Sequence, residues 1–180
     1  MRTCAASCIP LLSQQNIDGS NFFNRSWKEF KVGFNDSRGN YWLGNELLHR
    51  LTDKNLNRYK LRFDIQARNL SWYYAEYSMF EVHNEASNYK LRVSGYSGNV
   101  GDALWSLDGM MFTTYDRDND PWSDPSYENN CAVRNAGGFW YGGCAHAAVN
   151  VVRDRGDNFR WWAASTGNTL LKSSRMWLMC

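Results

Sequence analysis

The first third of the chain carries hydrophobic residues at helical spacing. Trp27, Phe30 and Phe34 recur every three or four positions, and Ser26 occupies the position of an N-cap. Residues 42–52 repeat the pattern, with a stripe of leucines at Leu43, Leu47, Leu48 and Leu51. Two short helices are therefore predicted, over residues 26–34 and 42–52.

From residue 59 onward, apolar and polar residues alternate. The apolar positions of the first such segment, residues 59–67, are Tyr59, Leu61, Phe63 and Ile65. This alternation is typical of a strand with one buried face. Residues 72–82 and 89–96 predict further strands. Helices followed by consecutive strands indicate an α+β fold, with a twisted antiparallel sheet and short helices.

Beyond Ser97 the periodicity fades, and Gly, Asn, Asp and Trp become frequent. Loop-rich regions carried on a rigid sheet often hold the functional site of a protein. Residues 97–180 are therefore expected to form a loop-rich subdomain that contains the site.

The composition is that of a folded domain with balanced charge. The 180 residues (20.9 kDa) suggest one domain or two closely joined lobes. A formal net charge of +2 argues against a strongly basic nucleic-acid surface, and nine Trp, ten Tyr and nine Phe can supply a large core. No stretch approaches the roughly 20 apolar residues that span a bilayer.

Five cysteines leave at least one unpaired within the chain. Cys131 and Cys144 lie 13 residues apart, which fits either a short disulfide loop or two reduced, buried thiols. Three Asn-x-Ser sequons, at Asn24, Asn35 and Asn69, favour a secreted, oxidising environment and N-glycosylation. The first 13 residues do not form a convincing signal peptide, because Cys, Ser and Pro interrupt their apolar run.

An acidic segment, Asp116 to Asp120 (DRDND), supplies alternating carboxylates of the kind that calcium prefers. The segment is not an EF-hand loop, because Pro121 takes the place of the glycine at position six and Tyr127 that of the glutamate at position twelve. Two hypotheses remain, a calcium site of another type and a solvated acidic turn in which Asp caps backbone amides.

Motifs for catalysis are scarce, and the chain is predicted not to be an enzyme. Cys144 and His146 could form a nucleophile pair, but adjacency in sequence does not provide the spatial arrangement that a nucleophile and its base require. Cys131, Cys144 and His146 could hold zinc, but an obvious fourth ligand is missing. The aromatic residues of 137–144 fit a buried strand better than an exposed sugar-stacking surface. Trp161 and Trp162 should point to opposite faces of a strand.

Many ordered motifs between about Gln14 and Met179 carry a family resemblance. They are Asp18-Gly19-Ser20, Phe23 to Trp27 (FNRSW), Gly33-Phe34, Tyr41 to Glu46 (YWLGNE), His49 to Thr52 (HRLT), Tyr89 to Ser97 (YKLRVSGYS), Gly109-Met110, Phe112 to Thr114 (FTT), Asp116 to Asp120, Asn130-Cys131-Ala132, Gly138 to Tyr141 (GFWY), Cys144 and Asn150. The chain thus resembles the fibrinogen C-terminal domain, or fibrinogen-related, family, which includes ficolins, tachylectins, angiopoietins and invertebrate fibrinogen-related proteins.

The resemblance implies a calcium ion held by the side chains of Asp118 and Asp120 and by backbone carbonyls, with Trp122 and then Asp124 as the nearest candidates. It also implies a disulfide between Cys131 and Cys144. A shallow ligand pocket would lie beside this disulfide, shaped by a cis peptide bond between Gly143 and Cys144. The matching pocket positions in this sequence are Asn135, Gly143, Cys144, Ala145, His146, Asp157 and Trp161.

The sequence departs from the family pattern at several of these positions. Asn135, Ala145 and Val151 replace residues that the lectins of the family use, and residues 121–129 lengthen the calcium loop. Residues 1–13 do not match, so the domain is predicted to cover residues 14–180 and to lack most of the family's N-terminal subdomain. A further possibility is that Cys180 pairs with Cys4 or Cys8, or that these cysteines link chains into oligomers.

Two functions follow as hypotheses. The first is a secreted, calcium-supported recognition module that binds acetylated sugars on glycans, as lectins of innate immunity do. The alternative is a protein-binding or structural module that recognises a peptide or receptor, as angiopoietins and fibrin do. A truncated chain without function is a third expectation.

Overall fold

The structure is a computed structural model that describes residues 9–53, 59–123, 129–144, 146–152 and 159–179. The helices are α1 (Trp27–Val32), α2 (Asn45–Thr52) and α3 (Cys131–Asn135), with single 3-10 turns at Asn21–Phe23 and Glu85–Ser87. The strands are β1 (Leu11–Asn16), β2 (Phe34–Asn35), β3 (Tyr41–Trp42), β4 (Lys60–Ala67), β5 (Trp72–Val82), β6 (Leu91–Gly98), β7 (Phe112–Thr113), β8 (Phe139–Trp140), β9 (Ala147–Ala148), β10 (Arg160–Ala163) and β11 (Gly167–Met179).

A large antiparallel sheet organises the described residues. Its strands follow the order β2-β3-β1-β11-β4-β5-β6, while β10 pairs with both β11 and β9, and β7 pairs separately with β8. The α+β fold class and the three predicted strands are confirmed, because β4, β5 and β6 form consecutive antiparallel neighbours.

Helix α1 begins at the predicted N-cap. The Ser26 side chain accepts a hydrogen bond from the Glu29 backbone N–H, and the Glu29 carboxylate accepts one from the Ser26 N–H. This capping box satisfies two amides that the first helical turn cannot pair. The helix stops at Gly33, whose φ of 92° is readily available only to glycine. The predicted helix end at residue 34 is therefore too late, and Phe34 begins β2 instead.

The core is aromatic and lies between the large sheet and the segments that pack on it. Trp42, Phe112 and Trp140 are buried and their ring centroids lie 5.1–6.2 Å apart. Their tilted and edge-on packing is the preferred arrangement of aromatic pairs. Phe139 and Trp140 are 1% exposed, which confirms the prediction that this glycine-flanked segment is buried.

Strands β1 and β11 are among those that the sequence does not predict. Strand β11 occupies the centre of the sheet, within the predicted loop-rich region, and β1 begins at Leu11, within the segment predicted not to match. The register shifts between Leu171 and Ser173 in β11, so the alternation of inward-facing residues changes phase along the strand. Strand β1 has the same irregularity between Leu12 and Gln14.

Helix α2 also differs from its prediction. It begins at Asn45 instead of residue 42, because Tyr41 and Trp42 pair with β1 and β2 as strand β3. Gly44 precedes the helix with a φ of 107°, and a Cβ there would meet backbone atoms near Val32 at 2.9 Å. None of the described helices is both long and apolar enough to cross a membrane.

Candidate functional site

A disulfide ties helix α3 to the segment that follows β8. Cys131 and Cys144 are bonded, with their Cα atoms 5.0 Å apart, so the disulfide prediction is confirmed. Both residues are buried. Because the two sulfurs bond each other, Cys144 is not a free nucleophile and neither cysteine is available as a zinc ligand.

The backbone at Cys144 differs from the predicted cis geometry. The described residues contain no cis peptide bond, so the bond between Gly143 and Cys144 is trans, and Cys144 itself adopts a left-handed φ of 61°. Asn135 fixes this conformation, since its side-chain amide donates a hydrogen bond of 2.8 Å to the Cys144 carbonyl. Asn135 is 1% exposed, so it makes this contact from the interior of the protein.

Beyond the disulfide lies an aromatic cluster formed by Trp105, His146 and Trp162. The His146 ring centroid lies 4.9 Å from that of Trp162 and 6.2 Å from that of Trp105. Trp105 is 59% exposed, whereas His146 and Trp162 are half-buried. The cluster therefore presents aromatic surface to solvent next to a covalently fixed loop.

Neighbouring groups contact the His146 ring and lower its pKa. Its Nδ1 lies 3.2 Å from the Ser106 hydroxyl oxygen. Burial lowers the pKa of the His146 imidazole, and the positive charge of Arg160 lowers it as well. His146 is consequently held mainly as a neutral ring near pH 7.

Strand β10 explains which tryptophan joins the cluster. Adjacent residues on a strand face opposite sides, and Trp161 points inward, where it is fully buried and donates to the Gly101 carbonyl at 2.9 Å. The prediction that Trp161 lines a ligand pocket is therefore wrong. Trp162 takes the outward position. Trp105 was not predicted at all, because no local pattern links it to residues 40 and more positions away.

Of the remaining predicted pocket residues, only Gly143 lies within the described part of the chain. Gly143 is half-buried, and a Cβ added to it would meet no atom within 4 Å, so the segment before Cys144 is open on that side. Ala145 and Asp157 lie outside the described residues, as do the predicted calcium ligand Asp124 and the cysteines Cys4, Cys8 and Cys180.

The acidic segment connects to the disulfide through the Asp120 carboxylate, which accepts a hydrogen bond from the Cys131 backbone N–H. One carboxylate oxygen of Asp120 accepts from the Cys131 N–H and the other from the Trp122 N–H, both at 3.0 Å. Asp118 accepts from the Asp120 N–H at 3.3 Å. Burial, together with the Asp118 carboxylate, raises the pKa of Asp120 to about 6. Two carboxylates thus lie close together, one of them partly desolvated.

This donor set fits a hard cation. Carboxylate oxygens have further lone pairs beyond those that the backbone amides use, and calcium accepts carbonyl and water oxygens alongside them. Among the described residues, no three His, Cys, Asp or Glu side chains gather as potential ligands, so Asp118 and Asp120 would need such additional oxygens. Asp116 has a different task, since it accepts from the Trp27 N–H at 2.8 Å.

The family profile for the C-terminal globular domain of fibrinogen beta and gamma chains matches residues 7–173. The chain belongs to the fibrinogen C-terminal domain family. Fibrinogen-like relatives include protein scabrous of Drosophila melanogaster, 37% identical over 164 residues that cover 91% of this chain and 19% of scabrous. Mouse angiopoietin-related protein 1 is 38% identical over 163 residues, which cover 87% of this chain and 32% of that protein.

Solved fibrinogen-like structures agree with this assignment. The fibrinogen-like globe domain of human ANGPTL2 superposes with a TM-score of 0.80 at 36% identity, covering 94% of this chain and 79% of that one. Lamprey fibrin D-dimer, in complex with the peptide ligand Gly-His-Arg-Pro-amide, gives a TM-score of 0.74 at 28% identity, covering 93% and 60%. This fibrinogen-like chain spans about a fifth of scabrous and about a third of angiopoietin-related protein 1.

All three sequon asparagines of the fibrinogen-like domain are exposed. Asn24 follows the first 3-10 turn, Asn35 lies in β2, and Asn69 lies in the turn between β4 and β5. Each is therefore sterically compatible with a bulky surface glycan.

Proposed function

We propose that this fibrinogen-like domain is an extracellular, non-enzymatic module that binds a peptide or a protein through its aromatic cluster. The observation that carries the proposal is the pair of outward-facing indoles, Trp105 and Trp162, around His146 and beside the Cys131–Cys144 disulfide. The likeness to a fibrin structure that contains a peptide ligand supports it.

The physical properties of the cluster suit such a ligand. Tryptophan combines a large apolar surface with an N–H donor and is enriched among the residues that contribute most to protein–protein binding. The disulfide and the hydrogen bond from Asn135 to Cys144 hold the neighbouring backbone in place before a ligand arrives. Preorganisation of this kind reduces the entropic cost of binding.

Calorimetric titration with a peptide panel tests this proposal. Gly-His-Arg-Pro-amide is the first probe, because it is the ligand of the lamprey fibrin structure. We expect a peptide of the panel to bind, and we expect Trp105→Ala and Trp162→Ala each to weaken binding about tenfold or more. Trp72→Ala is the matched control, since Trp72 is 51% exposed on β5 and lies outside the cluster. Equal losses in all three variants would contradict the proposal.

Binding of acetylated sugars is a second candidate function, as in lectins of innate immunity. The exposed face of Trp105 favours it, because sugar rings stack on aromatic faces. A glycan array with N-acetylated sugars separates the two candidates. Signals that disappear in Trp105→Ala, together with no response to any peptide, would select the lectin function.

We propose that calcium supports either function by stabilising the loop that contains Asp118 and Asp120. Asp118 and Asp120 would supply carboxylates, and the carbonyls of Trp122 and Asp124 are the candidates for the remaining protein ligands. Because Asp120 also accepts the Cys131 N–H, a bound cation would stabilise the loop next to the disulfide without touching the ligand.

A further inference from the structure

An exposed aromatic patch lies at the turn end of the β4–β5 hairpin. This hairpin patch consists of Leu70, Trp72 and Tyr74, which are 59%, 51% and 36% exposed. Trp72 and Tyr74 are two positions apart on β5 and therefore share one face of the sheet. Covering such exposed apolar surface is energetically favourable.

Two arginines flank the aromatic rings of the hairpin patch. The Arg62 guanidinium lies 4.8 Å from the Tyr74 ring centroid and that of Arg175 lies 5.8 Å from the Trp72 ring. Arg62 forms ion pairs with Asp64 at 2.8 Å and with Glu76 at 2.6 Å. The two carboxylates neutralise Arg62 beside Tyr74, so a flat, uncharged and polar ligand suits the surface around this ring.

A glycan acceptor stands at the edge of the hairpin patch. Asn69 begins the sequon Asn69-Leu70-Ser71 and is exposed in the turn. Its side-chain oxygen accepts the Ser71 N–H at 3.0 Å, which fixes the direction of the amide group. Trp72 lies three positions after Asn69, a reach of at most about 10 Å along the chain. The first sugars of an N-linked glycan can therefore reach the Trp72 indole.

We propose that Asn69 carries an N-linked glycan whose first sugar rings lie against Trp72 and cover the hairpin patch. The donor is a lipid-linked oligosaccharide diphosphate of the secretory pathway. The anomeric carbon of the oligosaccharide leaves the diphosphate and bonds to the Asn69 side-chain nitrogen, which loses a proton, and the lipid diphosphate departs. The inference rests on the extracellular location included in the proposed function.

The other two sequons provide internal comparisons. Phe22, Phe23 and Trp27, the aromatic residues within three positions of Asn24, are buried. Phe34, beside Asn35, is half-buried and packs against the core. A glycan at Asn24 or Asn35 therefore lacks an indole as exposed as that of Trp72 within the same distance along the chain.

The test is a double-mutant cycle on protein secreted from animal cells. Mass spectrometry of glycopeptides first measures the occupancy of Asn69. Thermal melts then compare the wild type, Asn69→Gln, Trp72→Ala and the double variant. We expect the loss of the glycan to lower the melting temperature by on the order of 2 to 4 °C in the wild type, and by much less when Trp72 is already absent. Asn35→Gln is the control, and its effect should be the same with and without Trp72.

A direct measurement covers the case in which Trp72→Ala is poorly secreted. In the NMR spectrum of the wild-type glycoprotein, the acetyl methyl group of the first N-acetylglucosamine on Asn69 should be shifted by the indole ring current, and that on Asn35 should not. An unoccupied Asn69, an unshifted methyl group, or a glycan effect that is independent of Trp72 would overturn the inference. None of these measurements involves the peptide ligand, so a failure here is distinct from a failure of peptide binding.

Discussion

Single residues in strained conformations show where a substitution should increase stability. Leu70 has a φ of 70°, and its side chain is largely in solvent, so the strain is not offset by extensive burial. Leu70→Gly should raise the free energy of unfolding by up to about 1 kcal/mol, because glycine adopts a left-handed φ without a steric penalty. The sequon Asn-x-Ser remains intact in this variant.

Leu47→Gly is the matched control for Leu70→Gly. Leu47 is likewise exposed, at 42%, but lies within helix α2, where glycine should lower stability by about 1 kcal/mol. Urea unfolding of both unglycosylated variants measures the difference. A loss of stability in Leu70→Gly similar to that in Leu47→Gly would show that the Leu70 side chain contributes more than its conformation costs.

His146 should make the domain less stable in mild acid. Its folded pKa lies below the ordinary value of 6.5, so the unfolded chain binds more protons as the pH falls through that value. The contribution of His146 to stability should therefore be fully present above about pH 6.5 and should decline below it, whereas Asp120, with a pKa raised to about 6, contributes in the opposite direction. Melts between pH 5 and 8 should show a weaker pH dependence in His146→Gln, whereas His83→Gln, at a site outside the cluster, should retain the dependence of the wild type.

The sequence indicates which residue types form the site but not which way each side chain points. Adjacent tryptophans at 161 and 162 necessarily face opposite sides of a strand, and only the packing of Trp161 against Phe63 in the core decides that Trp162 is the outer one. Trp105 joins His146 through tertiary packing alone. The disulfide between Cys131 and Cys144, in contrast, was predictable from the family resemblance.

Among the elements, the loop closed by the disulfide should contribute much of the stability of the site. Residues 131 and 144 enclose helix α3 and strand β8, with a sequence separation of 13. On the chain-entropy model, closing a loop of this length stabilises the fold by about 3 kcal/mol. Cys131→Ser combined with Cys144→Ser should therefore lower the melting temperature by roughly 6 to 12 °C.

Ligand binding provides the second measurement on this double variant. Because the disulfide fixes the backbone next to the aromatic cluster, peptide affinity should also fall at temperatures where the variant is still folded. Reduction of the wild type should reproduce both effects. A variant that melts earlier but binds peptide with unchanged affinity would separate the stability of the loop from its role in the site.

The predictability of an element depends on whether its pattern is regular. Strand β4 alternates cleanly, and its observed bounds differ from the predicted ones by one residue. Strand β11 buries Leu171, Ser174, Met176 and Leu178, so its inward positions change phase after Leu171. One of these positions is Ser174, whose hydroxyl oxygen accepts a hydrogen bond of 3.1 Å from the Gln14 side-chain amide. A polar residue at a buried position and a bulge together conceal a strand from any reasoning based on periodicity.

At the scale of the whole molecule, the acidic loop, the disulfide and the aromatic cluster form one connected region. Asp120 holds the first residue of α3, α3 carries Asn135, and Asn135 holds the Cys144 carbonyl two residues before His146. A cation at Asp118 and Asp120 would therefore stabilise the region that carries the proposed ligand surface. This connection makes calcium binding measurable through global unfolding.

Calcium at about 100 times its dissociation constant should stabilise the domain by roughly 2.7 kcal/mol, which corresponds to an increase of roughly 5 to 11 °C in melting temperature. Thermal melts in millimolar calcium and in excess chelator measure this difference. Asp118→Asn should abolish most of it, because the amide removes one of the two charges that attract the cation. Asp108→Asn should retain it, since Asp108 is an exposed carboxylate that bonds the Val93 N–H outside the loop. An equal calcium response in both variants would place the ion elsewhere. If the wild type does not respond to calcium, Asp118 and Asp120 belong to a turn in which Asp120 caps the Trp122 and Cys131 amides.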